Sequence, residues 1–240
     1  MEKQAIKGDG MSQQNNTIDV YIETGEKKVF AVAADWPGWS RSGSDEASAL
    51  QALADYGPRY AQIMKRAGLD FSPPAGVEAF RVVERLEGGS GTDFGVPGVA
   101  PPADTQPVSE DDLRRFELIM RACWEAFAGA IAAAQGRELR KGPRGGGRDL
   151  EKIARHVLDA GRAYLKQLGW KPDVGDAPDV QAEIDLLRQE EAEAMAAKAR
   201  GELPEEGPRG GARWPLRYYV RRAAWHVLDH VWEIEDRVEG

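Results

Sequence analysis

Residues 214–237 read WPLRYYVRRAAWHVLDHVWEIEDR, and the periodicity of this stretch decides how the rest of the chain must be arranged. Projected at about 100° per residue, Tyr219, Arg222, His226, His230, Glu233 and Arg237 fall in one narrow polar sector. Val220, Ala223, Ala224, Trp225, Val227, Leu228, Val231, Trp232 and Ile234 occupy nearly all of the remaining circumference. A helix that is apolar on almost every side is buried, so its polar stripe must face polar partners, water or a metal inside the protein. His226 and His230 stand four residues apart, which places their rings one turn apart on one face, the spacing a metal site needs. The only other histidine is His156.

Three more helices precede this one. Ser109-Glu110-Asp111-Asp112 is a capping-box start, and the helix it opens should run to about Gln135 with Leu113, Phe116, Met120, Trp124 and Phe127 as its apolar stripe. Cys123, beside that stripe, reads as a buried structural thiol, and as the single cysteine it has no intramolecular disulfide partner. A second helix is expected from Asp149 to Leu168 and carries His156. A third, from Asp179 to Arg200, has a thin apolar face at Val180, Ile184, Leu187 and Met195, and its acidic run RQEEAEAM reads as a solvated face. Two elements recur: Gly142-Pro143-Arg144-Gly145-Gly146 returns at residues 207–211, and His156-Val157-Leu158-Asp159 returns at residues 226–229. Related helical hairpins or coincidence both account for the echo; the loops read as flexible connections before anion cradles.

Histidines on a buried face are commonly hydrogen-bonded core residues. Two at ligand spacing with a third on a neighbouring helix favour a metal centre at His156, His226 and His230 instead, and three imidazoles leave coordination positions open for water or substrate. Asp159 and Asp229, each three residues past a histidine, are candidates for fixing ring tautomers, and Glu233 for an extra ligand or proton acceptor, unless these carboxylates form ordinary surface ion pairs. With these residues in place, residues 109–240 resemble the DinB-like superfamily, whose metal is held by one histidine of the second helix and a His-x-x-x-His pair on the last. That resemblance implies an up-down-down-up four-helix bundle, a divalent ion such as zinc or nickel, frequent homodimers and, in several members, transferase or isomerase chemistry with a low-molecular-weight thiol.

Upstream, residues 17–87 read as a small α+β unit. IDVYIET and KKVFAVAAD form a hairpin about Gly25, Trp36-Pro37-Gly38-Trp39 makes a Pro-Gly turn, a helix capped by Ser44 or Asp45 runs to about Ala67, and VEAFRVVERL is a strand. Gly57-Pro58 should bend or break that helix near Tyr56. The two tryptophans are expected to pack in the core and turn rather than to form a ligand platform. The order strand, strand, helix, strand, together with Asp35, Pro37, Gly38, Trp39 and the helix start SGSDEA, resembles the HicB-like fold, in which the ββαβ unit serves protein contacts and self-association; the DNA-binding appendage of antitoxin members is not evident here. Residues 88–108, GGSGTDFGVPGVAPPADTQPV, read as a Gly/Pro-rich linker, and residues 1–16 as a disordered tail.

The totals bound the function. A net charge of −8 over 240 residues argues against a general nucleic-acid or anionic-membrane surface, and neither a membrane-length apolar run nor a signal-peptide core is present. The expectation is a two-domain α+β protein of the cytoplasm: a divalent-metal-dependent thiol S-transferase acting on a small-molecule substrate. In it Glu233 serves proton transfer, and Arg222 or Arg221 holds an acidic group of the thiol unless it pairs with a protein carboxylate. The competing expectation is a non-enzymatic, metal-stabilised scaffold whose HicB-like unit binds a protein partner.

Overall fold

A computed structural model describes residues 17–141, 147–173 and 177–239. The expected tail, 1–16, and the first Gly-Pro-Arg-Gly loop, 142–146, lie outside these residues. The protein is α+β, a four-stranded sheet followed by a region of four long helices, and one continuous hydrophobic core joins the two parts.

The sheet comprises β1 (Ile18–Thr24), β2 (Val29–Ala33), β3 (Ser40–Gly43) and β4 (Phe80–Glu87), in the order β3-β2-β1-β4. β1 pairs antiparallel with β2 and parallel with β4. The unit is therefore βββαβ: the polar SRSG after the Pro-Gly turn makes a strand that the expected ββαβ order lacks, because pairing with β2 supplies what its propensity does not. The two central strands are buried on both faces. Ile18, Val20, Val29 and Ala31 face α1 (Glu46–Arg66), while Tyr21, Phe30 and Val32 pack against Trp225 on the other side. A register shift opposite Val20 and Tyr21 leaves Val83 unpaired, so Phe80 and Val82 serve the first face and Leu86 the second.

Helix α1 begins in a capping box between Asp45 and Ser48 and runs through Pro58 without a break. The expected interruption is overridden because Leu53, Ala54, Tyr60, Ile63 and Met64 are buried on both sides of the proline, outweighing the loss of one intrahelical hydrogen bond. Trp39 is fully buried, donates from Nε1 to the Leu53 carbonyl at 2.9 Å and stacks on Tyr60, as core packing requires.

The stretch 88–108 differs from a free linker. It carries α2 (Ser90–Phe94) and a short 3-10 turn (Pro102–Thr105), and two buried carboxylates fix it. Glu23 accepts from the Thr92 hydroxyl and from the backbone N–H groups of Gly98 (3.0 Å) and Val99 (3.1 Å). Asp104 receives the Arg221 guanidinium at 2.8 and 3.0 Å. These partners supply what a Gly/Pro-rich segment lacks, an apolar face with which to dock.

The long helices are α3 (Glu110–Ala134), α4 (Leu150–Leu168), α5 (Val180–Ala199) and α6 (Leu216–Arg237). Ser109, Asp149 and Asp179 each cap a helix through a side-chain oxygen, which is why their starts were readable. α3 and α6 start together at Asp112 and Arg217 and end together, where Arg140 N–H meets the Arg237 carbonyl at 2.8 Å, so they run in the same direction. α4 runs against α6, its end joined to the start of α6 through Trp214 N–H and the Gln167 carbonyl. Glu183 and Leu187 of α5 meet Arg155, Arg162 and Gly161 along α4, so α5 follows α4. No helix among the described residues is long and apolar enough to cross a membrane.

Fifteen of the 22 residues of α6 are buried, which gives it a foot in both halves of the core. The Pro-Gly turn lies directly on it: Gly38 has φ +93°, and a Cβ there would stand 3.0 Å from Leu228 Cδ1 and 3.1 Å from Ala224 Cβ. Gly38→Ala should therefore cost about 2 kcal/mol, combining left-handed strain with overpacking. A fall in the urea midpoint measures it; an unchanged midpoint would show that the turn can lift off α6.

Candidate metal centre

The site forms where α4 crosses α6. His156 projects from the middle of α4, and its neighbours Val157 and Leu158 enter the core, which places His156 at the edge of that face, partly exposed. His226 and His230 are 7% and 8% exposed, one turn apart on α6. His226 Nε2 and His156 Nε2 are 3.2 Å apart, and one nitrogen from each of the three rings lies within 4.8 Å of the other two. Two imidazole nitrogens on one tetrahedral zinc are about 3.3 Å apart, so the first pair already stands at ligand separation. The three histidines lie close enough together to hold a metal ion.

The donors are also held in the form that binds a metal. Burial pushes the His226 pKa well below its ordinary value, with His230, Arg222 and His156 adding to the effect. His156 is lowered as well, by burial and then by Arg148. A neutral ring keeps the lone pair that a cation needs. His230 meets Glu233 Oε2 through Nδ1 at 2.7 Å, leaving Nε2 for the site. Burial would raise the Glu233 pKa, but His230 and then Arg237 outweigh it and hold the carboxyl below its ordinary value. Arg237 in turn donates to Glu233 and to the carbonyls of Arg140 and Arg148, both at 2.8 Å, which ties the chain segment leading into α4 to the end of α6.

Glu233 thus takes the tautomer-fixing place for which Asp159 and Asp229 were candidates. Asp159 pairs with Arg162 at 3.4 Å on an exposed face, and half-buried Asp229 with Arg41 of β3 at 3.0 Å, so the ion-pair alternative holds for both. The histidines of the two repeats converge, but of the three carboxylates that stand three residues past a histidine only Glu233 meets its ring, because Arg162 and Arg41 draw Asp159 and Asp229 away. Tyr219 leaves the stripe too, donating to Glu191 of α5 at 3.0 Å. Arg221 is consumed by Asp104 and by the Ala33 and Ala34 carbonyls, while Arg222 remains beside the histidines, its guanidinium over the rings of Tyr164 and Trp225. The second Gly-Pro-Arg-Gly loop closes on itself, Gly207 N–H to the Gly211 carbonyl at 2.9 Å and Gly210 N–H to the Gly207 carbonyl at 3.0 Å, which leaves those N–H groups nothing to offer an anion.

Glu191 went unread in the sequence. It lies within the charge run assigned to solvent, yet it is 2% exposed and accepts from Trp124 Nε1 at 2.6 Å as well as from Tyr219. Its spacing from Ile184 and Leu187, seven and four residues, was the available signal, since it continues their buried face. Compared with protein-family models, curated proteins and solved structures, the chain matches none.

Proposed function

We propose that the protein is a divalent-metal-dependent enzyme of the thiol S-transferase type, with His156, His226 and His230 as metal ligands. The observation that carries this reading is the convergence of all three histidines, from two helices, with burial favouring their neutral form. A bound zinc or nickel ion would act as a Lewis acid, lowering the pKa of a thiol or water presented to it. The chain's own part is to orient and to exclude water. Glu233 holds the His230 tautomer, Arg237 holds Glu233, and Trp225 and Tyr164 wall the buried side. With both its oxygens engaged, Glu233 serves as a positioning residue rather than as an extra ligand. Partly exposed His156 marks the side from which a small substrate would enter.

The parallel α3/α6 and α4/α5 pairs support a DinB-like bundle, and the sheet order with its Pro-Gly turn supports a HicB-like partner unit. In this reading the sheet unit is a structural companion of the catalytic bundle, since α6 covers one of its faces. Elemental analysis of purified protein tests the site. About one equivalent of metal is expected in the wild type and less than a tenth of that in His226→Ala, because one lost ligand of three leaves only two. No metal after incubation with zinc or nickel, or equal metal in both proteins, overturns the proposal.

A further inference from the structure

Among the described residues Arg222 forms no ion pair, and its Nη1 is buried with no hydrogen-bond partner. A guanidinium stays charged under all ordinary conditions, so an orphaned N–H on it is a standing demand for an acceptor. Its surroundings are aromatic: its Cζ lies 4.7 Å from the centroid of Trp225 and 5.1 Å from that of Tyr164. Trp214 and Tyr218 extend the wall, Trp214 lying 5.4 Å from Tyr164 and 5.0 Å from Tyr218. The Tyr164 ring also stands 5.5 Å from the His226 ring, and Arg222 precedes His226 by one helical turn, so cation and histidines share one side of α6. Charge near the site is unbalanced, since Glu233 is taken by Arg237 while Arg148 has no ion-pair partner among the described residues.

From this placement, and resting on the metal-centre reading above, we infer that the small-molecule ligand of the histidine site carries a carboxylate, and that Arg222 is the residue that binds it. A guanidinium fork takes a carboxylate or a phosphate in bidentate fashion, and the single positive charge of Arg222 balances a monoanionic carboxylate rather than a phosphate dianion. Arg222 would then set which thiol or substrate is accepted, without ligating the metal.

Mercaptoacetate and 2-mercaptoethanol differ in the carboxylate and share the thiol, so they separate the two contributions. Titrated calorimetrically into zinc-loaded protein, mercaptoacetate should bind about tenfold or more tightly than 2-mercaptoethanol, as a charge-assisted fork implies. In Arg222→Gln the preference should vanish while zinc content and 2-mercaptoethanol affinity stay unchanged, and Arg222→Lys should restore part of it. Equal affinities in the wild type, or an unchanged preference in Arg222→Gln, overturn the assignment. So does displacement of mercaptoacetate by inorganic phosphate at equal concentration. If the wild type takes up no zinc, the metal reading fails by itself, and the same pair is titrated into metal-free protein. A carboxylate preference that is lost in Arg222→Gln then upholds the anion site, and no preference overturns it.

Discussion

Arg221→Met should destabilise the protein by roughly 3–5 kcal/mol, because it strands a buried carboxylate rather than merely deleting a contact. Asp104 is 2% exposed, and among the described residues the Arg221 guanidinium is its only side-chain partner. The same guanidinium satisfies the Ala33 and Ala34 carbonyls at the end of β2, at 2.9 and 3.1 Å. Urea unfolding measures the loss. The double variant Arg221→Met, Asp104→Leu should recover a substantial part of it, since removing both charges leaves no unpaired ion. A single variant within about 1 kcal/mol of the wild type would mean that water reaches Asp104 once the arginine is gone.

Glu191→Gln should remove a fall in stability that Glu191 imposes between pH 4.5 and 7. Burial raises the Glu191 pKa from 4.5 to about 7, and the bonds from Trp124 and Tyr219 offset that only in part. In this interval the folded protein holds a proton on Glu191 that the unfolded chain has released, so the Glu191 contribution falls as pH rises and is gone above about 7, whereas His226 and His156, kept neutral by burial, contribute in the opposite sense below 6.5. The span corresponds to about 3 kcal/mol at most. Asp112, Glu183 and Glu233 have lowered pKa values, and their contributions disappear at more acidic pH, below the ordinary carboxylate range. Subtracting the Glu191→Gln profile from the wild type therefore isolates the one group. Coincident profiles would place Glu191 in contact with water, open to it through the cavity of about 580 Å³ between α3 and α5 that it lines.

The long helices and the histidine site were legible because their signals are local. Ser109, Asp149 and Asp179 announce their helices by capping chemistry, and His226 and His230 announce theirs by spacing. What escaped reading depends on partners far away in the chain. The stretch 88–108 has no apolar pattern, and it is held by partners such as Glu23 and Arg221, more than sixty and a hundred residues distant in sequence from the groups they bind. Pro58 reads as a helix breaker until burial on both sides of it is counted. Glu191 is acidic among acids, and only its spacing from Ile184 and Leu187 marks it as the side chain that faces Trp124. Asp159, Asp229 and Glu233 all stand three residues past a histidine, and it takes the arginine partners of the first two to show that Glu233 alone keeps its ring.

The fifteen buried residues of α6 also bear on the order in which the protein comes into being. Of the ten strands and helices among the described residues, α6 is synthesised after all the others, yet Trp225 closes the second face of a sheet whose strands were made first. A nascent chain would hold Tyr21, Phe30 and Val32 uncovered through the making of some two hundred residues, an interval in which chaperones or neighbouring chains can reach them. Acquisition of the histidine pair and completion of the sheet are then one event on the ribosome, so any truncation before α6 would yield neither.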